Sequence, residues 1–277
     1  MDVAAHDWEL VVLPELGGAV GALRHERRDM LRPAPDGTTD PLATACFPLV
    51  PYANRIARGR FHFGGQVHSL PLNFADHPHS LHGLGWQAVW AVTDISDSAV
   101  TLAHGHDGGA GWPWPYRAEQ RFTLALGAAT LAISLTSLAD EPVPGGLGLH
   151  PYFPCDAATR LTGYADRVWR TDETLLPDEP ADAAQFGDWR TGAAVAGETL
   201  IDNAYDGWDG LARIDQHWGS IDLTARGAPV FHLYRPPGVD FFCFEAVSHL
   251  PDAINRGGMT LLQPDETMTL EMTLAIR

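Results

Sequence analysis

In Thr267-Met268-Thr269-Leu270-Glu271-Met272-Thr273-Leu274-Ala275-Ile276 the even positions carry methionine, leucine and isoleucine, and the odd positions carry mostly threonine and glutamate. A period of two is that of a pleated strand, whose side chains alternate between faces, so the segment predicts a half-buried strand. Phe122, Leu124 and Leu126, followed by Leu131, Ile133 and Leu135, repeat the pattern, and Gly127, Ala128 and Ala129 between them signal a hairpin. Arg-Gly-Arg-Phe-His-Phe-Gly-Gly-Gln-Val-His-Ser does the same around Gly64-Gly65. No segment sustains helical periodicity over three turns, and 28 glycines with 21 prolines cut the chain into short pieces. The expected class is all-β, a large antiparallel β-sandwich. Its 277 residues suit a single domain spanning residues 1–277. The stretch from Asp156 to Gly210, rich in Asp, Thr, Gly and Pro, is expected to form loops and short strands over one face.

A formal net charge of −17 repels phosphate backbones and anionic lipid, which argues against nucleic acid or a membrane surface as partner. All 18 basic residues are arginine. Without lysine the chain cannot perform Schiff-base, pyridoxal-phosphate or P-loop chemistry, each of which centres on an amine. Cys46, Cys155 and Cys243 are odd in number and widely spaced, so no disulfide framework or Cys-x-x-Cys site is expected. The first residues lack a basic leader, and no run reaches the ~20 apolar residues of a membrane span, so a cytoplasmic protein is expected.

Four polar clusters lie in apolar or glycine-rich sequence: around Arg55, His82, His150 and Glu245. Phe241 to Phe244 is continuously apolar, which predicts a strand covered on both faces with Glu245 at its end. A carboxylate there is costly to bury unless an arginine pairs with it or its pKa rises for proton transfer. A histidine and such a glutamate can act together as acid and base near neutral pH. His77-x-His79-x-x-His82 is the competing pattern for a metal site, but Pro78 makes it a loop with no carboxylate following. His104-x-His106 reads as a turn. The indoles of Gly111-Trp112-Pro113-Trp114-Pro115-Tyr116 suit either a sugar-stacking platform or core packing.

In order along the chain, Pro51-Tyr52-Ala53-Asn54-Arg55-Ile56, Leu81-His82-Gly83, His150-Pro151-Tyr152-Phe153, Glu245 and Pro251-Asp252-Ala253-Ile254-Asn255 resemble the aldose 1-epimerases, or galactose mutarotases. That resemblance implies a large β-sandwich and cofactor-independent interconversion of the α and β anomers of a free aldose. It implies Glu245 as the base on the anomeric hydroxyl and His150 as the acid on the ring oxygen. Arg55, His82 and Asp202 match substrate-binding positions, with Asp206 and Asp209 near enough to be confused with Asp202. No metal and no cofactor are implied, and the partner is a small sugar bound by a monomer or homodimer. Leu149 and Pro154 stand where many members carry asparagine, and Val247 where they carry glutamine, so the resemblance does not extend to galactose itself. A hexose-phosphate 1-epimerase, with Arg58 and Arg60 on the phosphate, and a non-catalytic sugar-binding protein are the alternatives. The mechanism implies a His150 pKa close to neutral and loss of activity at low pH as Glu245 is protonated.

Overall fold

The computed structural model describes residues 1–277. Two antiparallel sheets, one of 11 strands and one of nine, face each other as the alternation predicts. Pro115–Ala125 and Thr267–Ile276 flank Ala128–Ser137 in the nine-stranded sheet, and Leu270, Met272 and Leu274 are buried while Thr267 and Thr269 are exposed. Ala125 pairs with Ala128, so the hairpin turn is Leu126-Gly127 and not the glycine-alanine-alanine stretch. Arg60–Phe63 pairs with Gln66–Ser69 across Gly64-Gly65, whose φ values of 58° and 76° are those of a type I′ turn. No helix is long and apolar enough to cross a membrane.

The segment from Asp156 to Gly210 extends both sheets, and this corrects its expected place over one face. Arg160–Gly163 and Ala193–Ala194 join the nine-stranded sheet, while Arg167–Thr171, Pro177–Asp182 and Ile201–Asp206 join the larger one. Pro177–Asp182 and Ala193–Ala194 are outermost strands, where proline and polar residues are tolerated because one side of the ladder is open. That position explains the polar composition. His104 and His106 are likewise on a strand, Ala99–Asp107, and His106 Nε2 lies 2.8 Å from the Trp112 carbonyl. Trp112 and Trp114 are core residues, both buried. Trp112 packs against Tyr52 and Phe61 at ring-centroid distances of 5.5 and 5.7 Å, beneath the segment that carries Arg55.

Four adjacent strands of the larger sheet matter for function: Gly148–Pro154, Phe241–Val247, Val230–Arg235 and Ile201–Asp206, in that spatial order. Their alternate residues go to opposite sides. Phe153, Phe242, Phe244, Phe231, Leu233 and Tyr205 enter the core between the sheets. Tyr152, Cys243, Val247, Val230 and Ala204 join a smaller apolar cluster on the outer face, with Phe47 and Trp86. Phe231 stacks between Tyr205 and Phe244, each centroid 4.5 Å away, and so ties three of the four strands together from below. Phe231→Ala is expected to cost about 3–5 kcal/mol through lost transfer energy and a residual cavity. Urea unfolding at unchanged slope measures it, and a loss no larger than that of an exposed substitution would contradict the packing role.

Candidate active site

On the outer face the register sets two rows of side chains. Leu149 pairs with Ala246 and Tyr152 with Cys243, which puts His150 opposite Glu245. Glu245 is paired on its other side with His232, and His232 with Ala204. The second row, one step along the strands, runs Tyr152, Cys243, Tyr234, Asp202. Glu245 is therefore inside its strand, which continues to Val247, and not at the strand's end. His150 Nε2 lies 3.3 Å from Glu245 Oε1, and no arginine pairs with the carboxyl. Both side chains are almost wholly buried, and Glu245 Oε2 and His150 Nδ1 have no hydrogen-bond partner.

Burial, followed by the charge of Asp202, pushes the Glu245 carboxyl well above the usual carboxylate range against the opposing pull of Arg55. The His150 imidazole moves the other way. Burial, with His232 adding to it, lowers it to about 3, so the ring is neutral and its pKa does not lie near neutrality as the sequence suggested.

Asp202 is held differently. Arg55 forks onto it, Nη2 to Oδ2 at 2.7 Å and Nη1 to Oδ1 at 3.3 Å, and His232 Nε2 donates to Oδ1 at 2.6 Å. Burial alone would raise this carboxyl, but the His232 hydrogen bond and the Arg55 charge overcome it and hold it well below the carboxylate range. Asp206 is instead engaged by Arg167 and Trp169, and Asp209 accepts the Leu211 amide. Neither of them lines the cavity that Asp202 lines.

Arg55 and His82 come from loops folded over the sheet. Arg55–Ile56 and Ser80–Leu81 form a two-residue ladder. Asn54 and His82, one at each side of it, have φ of 56° and 60°, a region sparsely used by non-glycine residues. They hold each other: His82 N–H donates to the Asn54 carbonyl at 2.8 Å, and Asn54 N–H donates to His82 Nδ1 at 3.2 Å. Gly83 follows at φ 72° with no room for a Cβ against Val50, which explains glycine after His82. With Nδ1 accepting, the His82 proton is on Nε2; burial, then His150 and Arg55, keep the ring neutral. The Pro251–Asn255 motif is a clamp for this segment. Asp252 accepts the Ala57 amide at 2.9 Å and its own N–H donates to the Arg55 carbonyl at 2.7 Å, while Asn255 Nδ2 donates to Arg60 O at 3.0 Å.

All five sequence-derived site residues, Arg55, His82, His150, Asp202 and Glu245, line one cavity of about 390 Å³, at the small end of small-molecule sites. Arg58 and Arg60 are exposed and do not line it. His77, His79 and His82 do not converge: His77 Nε2 accepts from Arg55 Nε at 3.4 Å, while His79 Nδ1 accepts the Arg58 amide at 3.0 Å. No three His, Cys, Asp or Glu side chains are grouped to hold a metal ion. The sequence reading missed His232, Tyr234 and Arg32, which also line the cavity. The first two were signalled by Phe231-His232-Leu233-Tyr234, where both polar residues fall on one strand face.

Comparison with known proteins bears on the family and the fold. The aldose 1-epimerase family model matches residues 5–275. An uncharacterized Escherichia coli K12 protein, YphB, is 33% identical over 276 residues, covering 94% of this chain and 93% of that protein. Human galactose mutarotase is 31% identical over 257 residues, covering 77% of this chain and 73% of the enzyme. The crystal structure of an aldose 1-epimerase candidate from Escherichia coli K12 superposes with a TM-score of 0.92 at 31% identity, covering 100% of this chain and 98% of that one. A galactose mutarotase-like protein from Clostridium acetobutylicum shares the fold, with a TM-score of 0.88 at 20% identity and coverage of 100% and 94%. This chain belongs to the aldose 1-epimerase family.

Proposed function

We propose that the protein interconverts the α and β anomers of an aldose by acid–base ring opening and reclosure, without a cofactor. The observation that carries this reading is the buried His150–Glu245 contact of 3.3 Å on the cavity floor, with no other ion-pair partner on either side chain. Mutarotation requires one proton to leave the anomeric hydroxyl and another to reach the ring oxygen. The C–O bond to the ring oxygen then breaks, the aldehyde rotates about C1–C2, and reclosure returns both protons. Two adjacent groups that share one mobile proton meet that requirement. Glu245 is the proposed base and His150 the proposed acid. Arg55 and Asp202 hold sugar hydroxyls, and the His82 Nε2–H donates to the substrate.

The opposite pKa directions of the pair bear on how it works. With both groups buried, the shifts favour a proton on the carboxyl beside a neutral ring. Carboxyl plus imidazole contains the same number of protons as carboxylate plus imidazolium, so pH does not choose between the two tautomers. The proton passes across the His150–Glu245 contact, and the polar substrate replaces some of the lost solvation. Activity then follows the singly protonated pair. It falls in strong acid as the pair gains a second proton, and in base as it loses its last one, which replaces the simpler expectation of Glu245 protonation alone.

Magnetisation-exchange NMR between anomers tests this. Glu245→Gln and His150→Asn are each expected to lower kcat by about 10²- to 10⁴-fold. Sugar binding by a folded wild type that catalyses no exchange would favour a binding protein on the same scaffold. Stability gives a second prediction. Because the folded pKa of Glu245 is raised, the folded state holds a proton that the unfolded chain releases above about pH 4.3, so this residue costs stability as pH rises. Glu245→Gln is expected to raise Tm at about pH 8, and the gap from wild type is expected to close as pH approaches 4. A gap independent of pH would show that the carboxyl is ionised in the folded protein.

A further inference from the structure

The cavity is lined by two guanidinium groups. Arg55 is neutralised by Asp202 at 2.7 Å. Arg32 has no Asp or Glu within ion-pair distance, and only its Nη2 is engaged, donating to the Leu42 and Thr44 carbonyls at 3.2 and 3.3 Å. Its plane is gripped by aromatic rings, with the guanidinium carbon 4.0 Å from the Tyr152 centroid and 4.4 Å from that of Phe241. Two carbonyls and two ring faces fix the group in place, and Nε and Nη1 retain donors without a protein partner.

The charge balance of the cavity follows. Arg55 cancels Asp202 and burial disfavours ionisation of the Glu245 carboxyl, so the charge without a partner is that of Arg32. In a chain of formal net charge −17, the cavity floor is locally positive. The placement also fits a substrate spanning the site. His150 and Tyr152 share a strand face about 7 Å apart along the chain, with ring centroids 5.0 Å apart, and Arg32 stacks on Tyr152. Tyr152 thus touches both Arg32 and the acid–base histidine, and all three line the same cavity.

We propose that Arg32 is the subsite for an acidic group (phosphate or carboxylate) at the far end of the aldose, so that the preferred substrate is an anionic sugar. This rests on the mutarotase reading above and specifies its substrate class. The free Nε and Nη1 donors give such an anion charge-assisted hydrogen bonds, and the surrounding aromatic faces exclude water and strengthen the attraction.

The test compares anomer exchange for glucose, glucose 6-phosphate and glucuronate in wild type, Arg32→Gln and Arg32→Lys, with folding checked by circular dichroism. The acidic sugar whose group fits is expected to exceed glucose in kcat/KM by about tenfold or more. Arg32→Gln is expected to collapse that ratio, and Arg32→Lys to retain part of it, since charge persists while the planar donors and the stack are lost. Added salt should slow the acidic sugar and leave glucose unaffected. The phosphate and carboxylate arms identify which anion fits. Equal kcat/KM for neutral and acidic sugars, or a proportional loss for both in Arg32→Gln, would assign Arg32 to the scaffold. Should no sugar exchange, calorimetric binding of the same three sugars decides the subsite separately: anion-selective binding lost in Arg32→Gln keeps it while catalysis fails, and unselective binding overturns it.

Discussion

The site depends on the pairing register of four neighbouring strands. A slip of one residue in Phe241–Val247 would turn Glu245 into the space between the sheets and bring Phe244 or Ala246 to the cavity. What prevents the slip lies on the opposite face, where Phe153, Phe242, Phe244 and Phe231 fill the main core. The same aromatic residues that stabilise the sandwich thus align an imidazole with a carboxyl across 3.3 Å. Burying those polar groups is unfavourable, and the two-sheet core supplies the stability that offsets it.

Two buried carboxyl groups on strands separated by Val230–Arg235 are shifted in opposite directions. Asp202 is met by a guanidinium and an imidazole and stays ionised. Glu245 is met by one imidazole, and burial pushes its carboxyl well above the usual range. The difference is one of partners, not of burial, and in the proposed reaction it separates a group that holds the sugar from a group that moves protons. The loops add a second level of organisation: Asn54 and His82 hold each other's backbone, and Asp252 ties the Arg55 segment to the chain's C-terminal region.

Much of this was legible in the sequence because it is written in local patterns. Alternation gave the strands, and the punctuation of Gly64-Gly65 gave one turn correctly. Arg55, His82, His150 and Glu245 stood out because polar residues embedded in apolar or glycine-rich sequence demand a reason, whereas Asp202 came only through the family resemblance. What was hidden depends on contacts distant in sequence. The partner of His150 is 95 residues away along the chain, so its pKa could not be inferred from its neighbours. Arg32 precedes a proline-rich loop that resembles any solvated turn until Tyr152 and Phe241 close on it. Trp112 and Trp114 were ambiguous because their core partners, Tyr52 and Phe61, lie some 50 or more residues earlier. Gly105 made His104 and His106 resemble a turn, although a central strand accepts one glycine.

The absence of lysine has a consequence for the protein's durability. An open-chain aldose is an electrophilic aldehyde, and amines condense with it. With arginine supplying all 18 basic side chains, the chain presents no ε-amine to the intermediate that the proposed reaction releases and recaptures at each turnover. The polar groups that line the cavity are guanidinium, imidazole, phenol, amide and carboxyl, with no amine among them. A catalyst of sugar ring opening made in this way is poorly susceptible to glycation by its own substrate.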